Sequence, residues 1–200
     1  MSFNKYSLLI ILVMFFTGFV SSQTMESEPT TFRLVLEVGG GYSYKLTEPK
    51  LTLGKYTRDG ISGTVRLKWG SSKFLGIGVE TGWIPISSTT NDGFISEIGN
   101  THLSASLTAI PVLALFSLQR FGIQLHAGLG YYLVASSVTI FDEQSESSEW
   151  NLGYLVSLGY ARPLSSDFRI GAELKWHNIV EQQLSIVSVQ IKLLYQIYGE

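Results

Sequence analysis

The sequence predicts an all-β fold, namely an eight-stranded antiparallel up-and-down transmembrane β-barrel with a filled polar lumen. Three observations carry this prediction: side chains that alternate with a period of two, segments longer than ordinary strands, and connections that are alternately short and long. Residues 61–69 show the alternation, because one face carries Ile, Gly, Val, Leu and Trp and the other carries Ser, Thr, Arg and Lys. This is the period of a β-strand, in which successive side chains point to opposite faces.

The composition is typical of a membrane wall rather than of an ordinary globular domain. Charged residues make up 15% of the 200 residues, against about 25% in globular domains, and the mean hydropathy is +0.21. The net charge of −2 excludes a global basic field, so no nucleic-acid partner is predicted. The chain contains no cysteine, which excludes disulfides, thiolate metal sites and cysteine nucleophiles.

The N-terminal segment has the pattern of a secretory signal peptide. A short apolar run follows Lys5, and residues 20–22 fit a cleavage site. The predicted organisation is therefore a signal peptide at 1–22, cleaved on export, and a barrel domain at 23–200. Together with the barrel pattern, this predicts a location in the outer membrane of a Gram-negative bacterium.

Eight segments show strand character, and each contains about ten to fourteen residues. Soluble strands usually contain about five or six residues, whereas a tilted strand needs about nine to eleven residues to cross a bilayer. The predicted strands are 32–45, 60–70, 73–85, 102–116, 121–135, 150–162, 168–177 and 185–198.

The connections between these segments alternate in length, and short turns on one side with long loops on the other are typical of outer-membrane barrels. Pro111 lies inside the fourth segment and cannot donate to a ladder, so it is interpreted as a bulge or a change in the phase of the alternation. The predicted short turns are 70–72, 117–120 and 163–167, the long polar loops are 46–59, 86–101 and 136–149, and the last connection, 178–184, is shorter.

Aromatic residues concentrate near both ends of the predicted strands, with mainly aliphatic residues between them on the same face. Two aromatic belts flanking an aliphatic band are typical of the lipid-facing wall of a barrel. The belt on the short-turn side is predicted to contain Phe32, Trp69, Phe74, Phe121, Tyr160, Phe168 and Tyr195. The belt on the long-loop side is predicted to contain Tyr42, Tyr44, Trp83, Tyr131, Trp150, Tyr154 and Trp176.

The opposite face of the strands carries charged and small residues and is predicted to line the lumen. A buried unpaired charge costs several kcal/mol, so these charges are expected to pair. Acidic and basic residues alternate at similar mid-barrel heights around an arc of five neighbouring strands. The predicted structural salt-bridge network contains Glu173, Lys192, Glu37, Arg66 and Glu80.

No motif in the chain carries a strong catalytic or metal-binding signal, so no catalytic residue, no metal site and no cofactor is predicted. The spacing His102-x-Ser104 occurs in lipid A deacylases, which are small barrels, but no acidic partner lies between residues 100 and 142, and the pair is predicted to face the lumen. The three histidines lack metal-ligand spacing. Residues 142–149 carry four carboxylates and are interpreted as a solvated external loop.

Several runs resemble a known family. An Ile-Pro strand within 107–115 precedes a Gly-x-Gly-aromatic strand within 121–133, and the stretches 151–160 and 170–176 follow in the family's order. This pattern resembles the outer-membrane β-barrel domain family of Bacteroidetes-type bacteria, which includes PorT-like proteins. The resemblance implies a small eight-stranded barrel and brings no catalytic residues. The chain departs from the aromatic C-terminus of many such barrels, because Tyr198 precedes two further residues.

The function predicted from these observations is that of an integral outer-membrane protein, not an enzyme, with a structural, adhesive or accessory role in secretion or uptake that its external loops carry. The alternatives are a lipid-modifying enzyme centred on His102 and Ser104, a narrow-pore channel, and a soluble ligand-binding barrel with its apolar face inward. The expected partners are outer-membrane lipid and lipopolysaccharide, the barrel-assembly machinery during biogenesis, and a further envelope protein of unknown identity.

Overall fold

The fold is described from a computed structural model, which defines residues 32–47, 55–71, 75–96, 99–140 and 143–198. The predicted signal peptide, Phe74 and both ends of the chain lie outside these residues. Within the described part, no helix is long and apolar enough to cross a membrane.

The described backbone forms nine strands, of which eight are long and one, β2, has three residues. Their bounds are β1 Phe32–Lys45, β2 Lys55–Thr57, β3 Asp59–Ser71, β4 Leu75–Ser96, β5 Gly99–Arg120, β6 Ile123–Ile140, β7 Glu143–Pro163, β8 Phe168–Ile179 and β9 Leu184–Tyr198.

The eight long strands close into an antiparallel barrel. Neighbours in the ring follow the order β1, β3, β4, β5, β6, β7, β8 and β9, and β9 pairs again with β1. The closing seam places Val38 opposite Leu193 and Tyr42 opposite Val189. Closure leaves no open sheet edge within the ring, whereas the upper part of β7, at 143–151, pairs with β6 and has no ladder partner on β8. The predicted up-and-down barrel is therefore confirmed.

The alternation of side chains separates an outer from an inner face along each strand. On β3 the outward Ile61 is 72% exposed, whereas the inward Arg66 is 2% exposed. A charged interior behind an exposed apolar outer surface is the reverse of the arrangement in a water-soluble barrel. It excludes the alternative of a soluble barrel that binds a ligand in an apolar interior at this level.

Two of the predicted long loops are strand in the structure. Strands β4 and β5 extend through most of 86–101, and strands β6 and β7 extend through most of 136–149. The polar composition of these stretches favours a loop, but hydroxyl and acidic residues also form strands where both faces of a sheet meet water. The prediction of long irregular loops at these two places is wrong.

The predicted turn at 117–120 is also misplaced. Strand β5 continues to Arg120, and the chain reverses at Phe121 and Gly122, whose φ values are 52° and 84°. Two consecutive positive φ values define the tight hairpin turn that matches the twist of the flanking strands, and glycine accepts this conformation without strain.

Pro111 interrupts a ladder without shifting its register. Thr81 lies opposite Val112 and Ile84 opposite Ala109, so the register between β4 and β5 is the same on both sides of the proline. The register shifts instead between Pro85 and Ser87. The interpretation of Pro111 as a bulge or a phase change is therefore wrong, because a missing N–H group removes a hydrogen bond but adds no residue.

The lumen is not polar throughout, because its upper part, on the side away from the short turns, holds an apolar cluster. Among the buried members, Ile84, Leu155 and Ile186 are all 0% exposed. Most of the cluster lies at and above the level of the upper aromatic belt, where the outer surface becomes polar, and Leu113 extends it down to the charged layer, since it lies opposite Glu80. The full set is Ile84, Ile86, Ala109, Leu113, Leu115, Tyr132, Val134, Leu155, Ile179, Leu184 and Ile186.

Candidate functional site

The outer surface of the barrel carries the two predicted aromatic belts. Tyr154 is half-buried because it packs edge-on against Trp176, with ring centroids 5.6 Å apart. The outward orientation of these rings, with aliphatic residues between them, is the arrangement expected at the two edges of a bilayer. Belt residues at least 39% exposed are Phe32, Trp69, Phe121, Tyr160, Phe168, Tyr195, Tyr42, Tyr44, Trp83, Tyr131, Trp150 and Trp176.

Arg66 lies at the centre of the lumen and contacts all three carboxylates of the predicted network. Its Nη1 atom donates to Glu37 Oε2 at 2.9 Å, and its Nη2 atom donates to Glu173 Oε1 at 3.0 Å. Both Nε and Nη2 also donate to Glu80 Oε2. The planar guanidinium has five N–H donors, which is why one side chain can serve three carboxylates.

Lys192 joins the same network from strand β9. Its Nζ atom lies 3.3 Å from Glu173 Oε2 and 3.6 Å from Glu37 Oε2. The structure thus brings all five residues of the predicted network into one contiguous cluster, and each is at most 3% exposed. Shear does not separate them, because the register places Glu37 opposite Arg66 and Arg66 opposite Glu80.

Two further lysines belong to this cluster and are not included in the prediction. Lys68 pairs with Glu37, and Lys175 Nζ lies 2.9 Å from Glu80 Oε1. Both lie two residues from a predicted member, on the same face of the same strand, so the period of two could have found them. With them, the described cluster has four basic groups, Arg66, Lys68, Lys175 and Lys192, against three carboxylates, Glu37, Glu80 and Glu173.

The ion pair between Lys175 and Glu80 crosses the lumen. Lys175 lies on β8 and Glu80 on β4, and four steps around a ring of eight strands separate β8 from β4. The two strands are therefore diametrically opposite, yet the charged atoms are 2.9 Å apart. An eight-stranded barrel is just narrow enough for its side chains to fill it, and here they meet across the full width.

Neutral side chains complete the hydrogen bonding of the charged layer. Ser157 donates to Glu173, and Lys175 Nζ donates to Thr64 Oγ1 at 3.0 Å. Thr64 donates in turn to Gln190 Oε1 at 2.8 Å. Buried charges are tolerated only when their remaining donors and acceptors are satisfied, so these hydroxyl and amide groups belong to the same structural unit as the ion pairs.

Two histidines line the lumen, each beside a hydroxyl group. His126 Nδ1 lies 2.7 Å from Ser117 Oγ, and His177 Nδ1 lies 3.1 Å from Tyr132 OH. The side chain of the third histidine, His102, lies outside the described residues. Among the described side chains, no three potential metal ligands form a cluster.

Ser104 is not in the lumen, contrary to the prediction for the His102-x-Ser104 pair. Strand β5 keeps a continuous register with β6, so Ser104 shares a face with Ser106, Thr108 and Ile110. Ile110 is exposed on the outer wall, and Ser104 therefore lies on the outward face above the apolar band. The prediction assigns the wrong face because it places a phase change at Pro111.

Strands β4 to β7 continue above the apolar band as a wall on one side of the barrel. From Val134 to Ile140, β6 adds seven residues, which corresponds to roughly 23 Å along the strand. On the other side, β8 ends at Ile179 and β9 begins at Leu184, joined by a short turn. The acidic stretch predicted as a loop lies partly in this wall, where Glu146 and Glu149 are exposed.

No protein-family model and no curated protein matches this chain. Solved structures do match its fold. Ail, the attachment invasion locus protein of Yersinia pestis, solved with the heparin analogue sucrose octasulfate, has 14% identity and a TM-score of 0.52 over 82% of this chain and 99% of its own. Neisserial surface protein A has 11% identity and a TM-score of 0.51 over 82% of this chain and 97% of its own.

A major outer membrane protein from Thermus thermophilus gives a similar result, with 10% identity and a TM-score of 0.53 over 83% of this chain and 99% of its own. At this identity the likeness shows the fold alone. The closed ring of eight long strands, the inverted distribution of charge and the two aromatic belts agree with it. The chain has the fold of the small eight-stranded outer-membrane β-barrels.

Proposed function

We propose that this protein is an integral outer-membrane barrel without enzymatic activity, whose structural, adhesive or accessory role is carried by its external hairpins. The wall formed by β4 to β7 is the observation that carries the proposal. Among the described residues it extends the two hairpins well beyond the apolar band on one side of the barrel, and its described outward side chains, such as Ser106 and Ser148, are polar. A sheet presented above a membrane supports contact with an external partner.

The proposal includes the location and the route to it. An exposed apolar band between two aromatic belts supports placement in a bilayer, and the fold supports the outer membrane. Export by a cleaved signal peptide at 1–22, and the narrower assignment to PorT-like barrels, rest on the sequence. Mass spectrometry of the protein purified from outer membranes tests the first of these, since cleavage predicts a mature chain that starts near Gln23.

Attachment is the first role to test, because Ail is named for attachment and invasion. The register allows each hairpin to be shortened without altering the barrel: an Asn-Gly turn can replace 89–105 between the paired Ser88 and Ser106, and another can replace 138–145 between Ser137 and Glu146. We expect the shortened variants to fold. We expect cells that express them to lose either attachment or the secretion or uptake that depends on the protein.

The control is a change in the short turn at 180–183, on the opposite side of the ring. Folding is checked by the faster gel mobility of unheated samples. Shortened variants that fold and retain wild-type attachment, secretion and uptake would show that the wall does not carry the function.

The alternative of a narrow-pore channel is disfavoured by side chains that meet across the lumen. The ion pair between Lys175 and Glu80 joins opposite strands, and most of the apolar cluster lies above it. We expect no steady conductance when the purified barrel is inserted in a planar bilayer. Reproducible single-channel steps that change with Glu80→Gln would instead establish a pore.

The alternative of a lipid-modifying enzyme gains no support from the described residues, because Ser104 has no described acidic or histidine partner there. We expect expression of the protein to leave the acyl chains of lipid A unchanged in mass spectra. Loss of an acyl chain that Ser104→Ala abolishes would overturn this part of the proposal.

A further inference from the structure

The short-turn end of the lumen contains a cavity that the charged network does not fill. It has a volume of about 60 Å³, well above the ~10–15 Å³ that one water molecule needs. Its polar lining includes Arg33 from β1, Lys68 from β3, Arg169 from β8, Ser117 and Gln119 from β5, Asp167 from the turn between β7 and β8, and Gln196 from β9.

Arg33 and Arg169 face this cavity without an ion-pair partner among the described residues. The Nε atom of Arg33 is buried and has no hydrogen-bond acceptor there. Both side chains are only partly exposed. A guanidinium is always charged, and a buried N–H group without an acceptor is costly, so this arrangement favours an oxyanion in the cavity.

The other charged residues of the lining do not supply an anionic partner for Arg33 and Arg169. Lys68 is paired with Glu37, on the inner side of the cavity. Asp167 is exposed in its turn, and no ion pair joins it to a described arginine. The amide groups of Gln119 and Gln196 add potential donors to the lining.

We propose that this cavity is a binding site for an oxyanion, either a phosphate group or a carboxylate, held by Arg33 and Arg169. Both arginines can present two parallel N–H groups, the geometry that carboxylate and phosphate oxygens accept. The short-turn end of an outer-membrane barrel opens to the periplasm, so the ligand is an anionic group carried by a periplasmic molecule. This site lies at the opposite end of the barrel from the wall and is independent of its proposed role.

The test is isothermal titration calorimetry of the full barrel in neutral detergent, with inorganic phosphate and with acetate as probes, at constant ionic strength set by chloride. We expect saturable phosphate binding that is about tenfold or more weaker in Arg33→Gln and in Arg169→Gln, since each loses a charge-assisted hydrogen bond. Arg162→Gln is the matched control, because Arg162 is exposed at the same end of the barrel and does not line the cavity.

The acetate titration distinguishes the two sources of the anion. Saturation by phosphate alone identifies a phosphate-bearing ligand, and saturation by both probes identifies a site that also accepts carboxylates. Absence of saturable binding of either probe to the wild type overturns the proposal. So does binding that Arg33→Gln and Arg169→Gln weaken no more than Arg162→Gln does.

Glu200→Gln is measured in parallel, because an acidic side chain two residues after Tyr198 is another source of a carboxylate. We expect Glu200→Gln to bind phosphate as the wild type does. Binding that appears only in Glu200→Gln would overturn the proposal, since the arginines would then serve the chain's own carboxylate.

Discussion

At the scale of single residues, Arg66 decides whether the lumen can hold its charges. It is 2% exposed and contacts Glu37, Glu80 and Glu173. These carboxylates come from three different strands, and each is also paired with a lysine, so the guanidinium is the group that joins the three pairs into one cluster. Removing Arg66 takes several charge-assisted hydrogen bonds from carboxylates that are buried, and breaking a buried ion pair in this way is far more costly than the net value of the pair.

Arg66→Met is therefore expected to lower the free energy of unfolding by about 3–5 kcal/mol. The measurement is a urea titration in which the folded fraction is read from the mobility of unheated samples on a gel. Adding Glu80→Gln to Arg66→Met is expected to increase the loss, because Lys175 then loses its ion-pair partner in the buried cluster. An Arg66→Met variant that unfolds at the urea concentration of the wild type would contradict the structural role of the network.

At the scale of the strands, the seam between β1 and β9 depends on a glycine. A Cβ atom at Gly41 would lie 2.0 Å from the Val189 carbonyl oxygen and 2.6 Å from Gln190 Cα. These are backbone atoms of the neighbouring strand, which cannot move without shifting the ladder that closes the barrel. At the adjacent Gly40, a Cβ atom would meet nothing within 4 Å.

This pair of glycines provides a matched test of the seam. Gly41→Ala is expected to destabilise the barrel by about 1–3 kcal/mol, as overpacking does elsewhere, and Gly40→Ala to change the stability by less than about 0.5 kcal/mol. The same urea titration measures both. Equal effects of the two substitutions would show that the close approach at Gly41 does not constrain β1 and β9.

At the scale of the whole molecule, the barrel changes its relation to solvent along its axis. Over the apolar band, outward side chains are aliphatic and inward ones are charged, as Ile191 and Lys192 show with exposures of 68% and 2%. Above the upper belt the order reverses, with Ile84 and Ile186 buried inside and Ser106 and Ser148 exposed outside. The reversal is consistent with a molecule that leaves lipid and enters water at the level of the upper belt.

The boundary between lipid and water at the upper belt predicts that a lysine on the outer surface destabilises the barrel more below the belt than above it. Ile191→Lys is expected to cost about 2–4 kcal/mol in phospholipid vesicles, because its position is near the middle of the apolar band. Ser148→Lys, one outward position above Trp150, is expected to cost less than about 1 kcal/mol. Urea titrations of protein folded into vesicles measure both, and similar costs for the two lysines would place the bilayer elsewhere.

The sequence by itself determined the strands that cross the membrane, their two faces and the five residues placed in one network. It could do so because a strand has a fixed period of two, and because lipid outside the barrel places apolar side chains outward and charged side chains inward, the reverse of a soluble protein. It did not determine where β4 to β7 end, since Ser, Thr and Glu are equally compatible with a loop and with a strand wetted on both faces. It also did not determine the face of Ser104, because a sequence does not distinguish a proline that only removes a hydrogen bond from a proline at a bulge. The phase change expected at Pro111 therefore placed Ser104 on the wrong face.

Only the tertiary structure decided which charges meet across the lumen. The contact between Lys175 and Glu80 joins strands about a hundred residues apart in sequence, and it depends on the circumference of the ring. The same holds for the cavity lined by Arg33 and Arg169, which lie on strands that are not neighbours in the ring. A local pattern fixes which face a side chain occupies, whereas closure of the barrel fixes which side chains that face brings together.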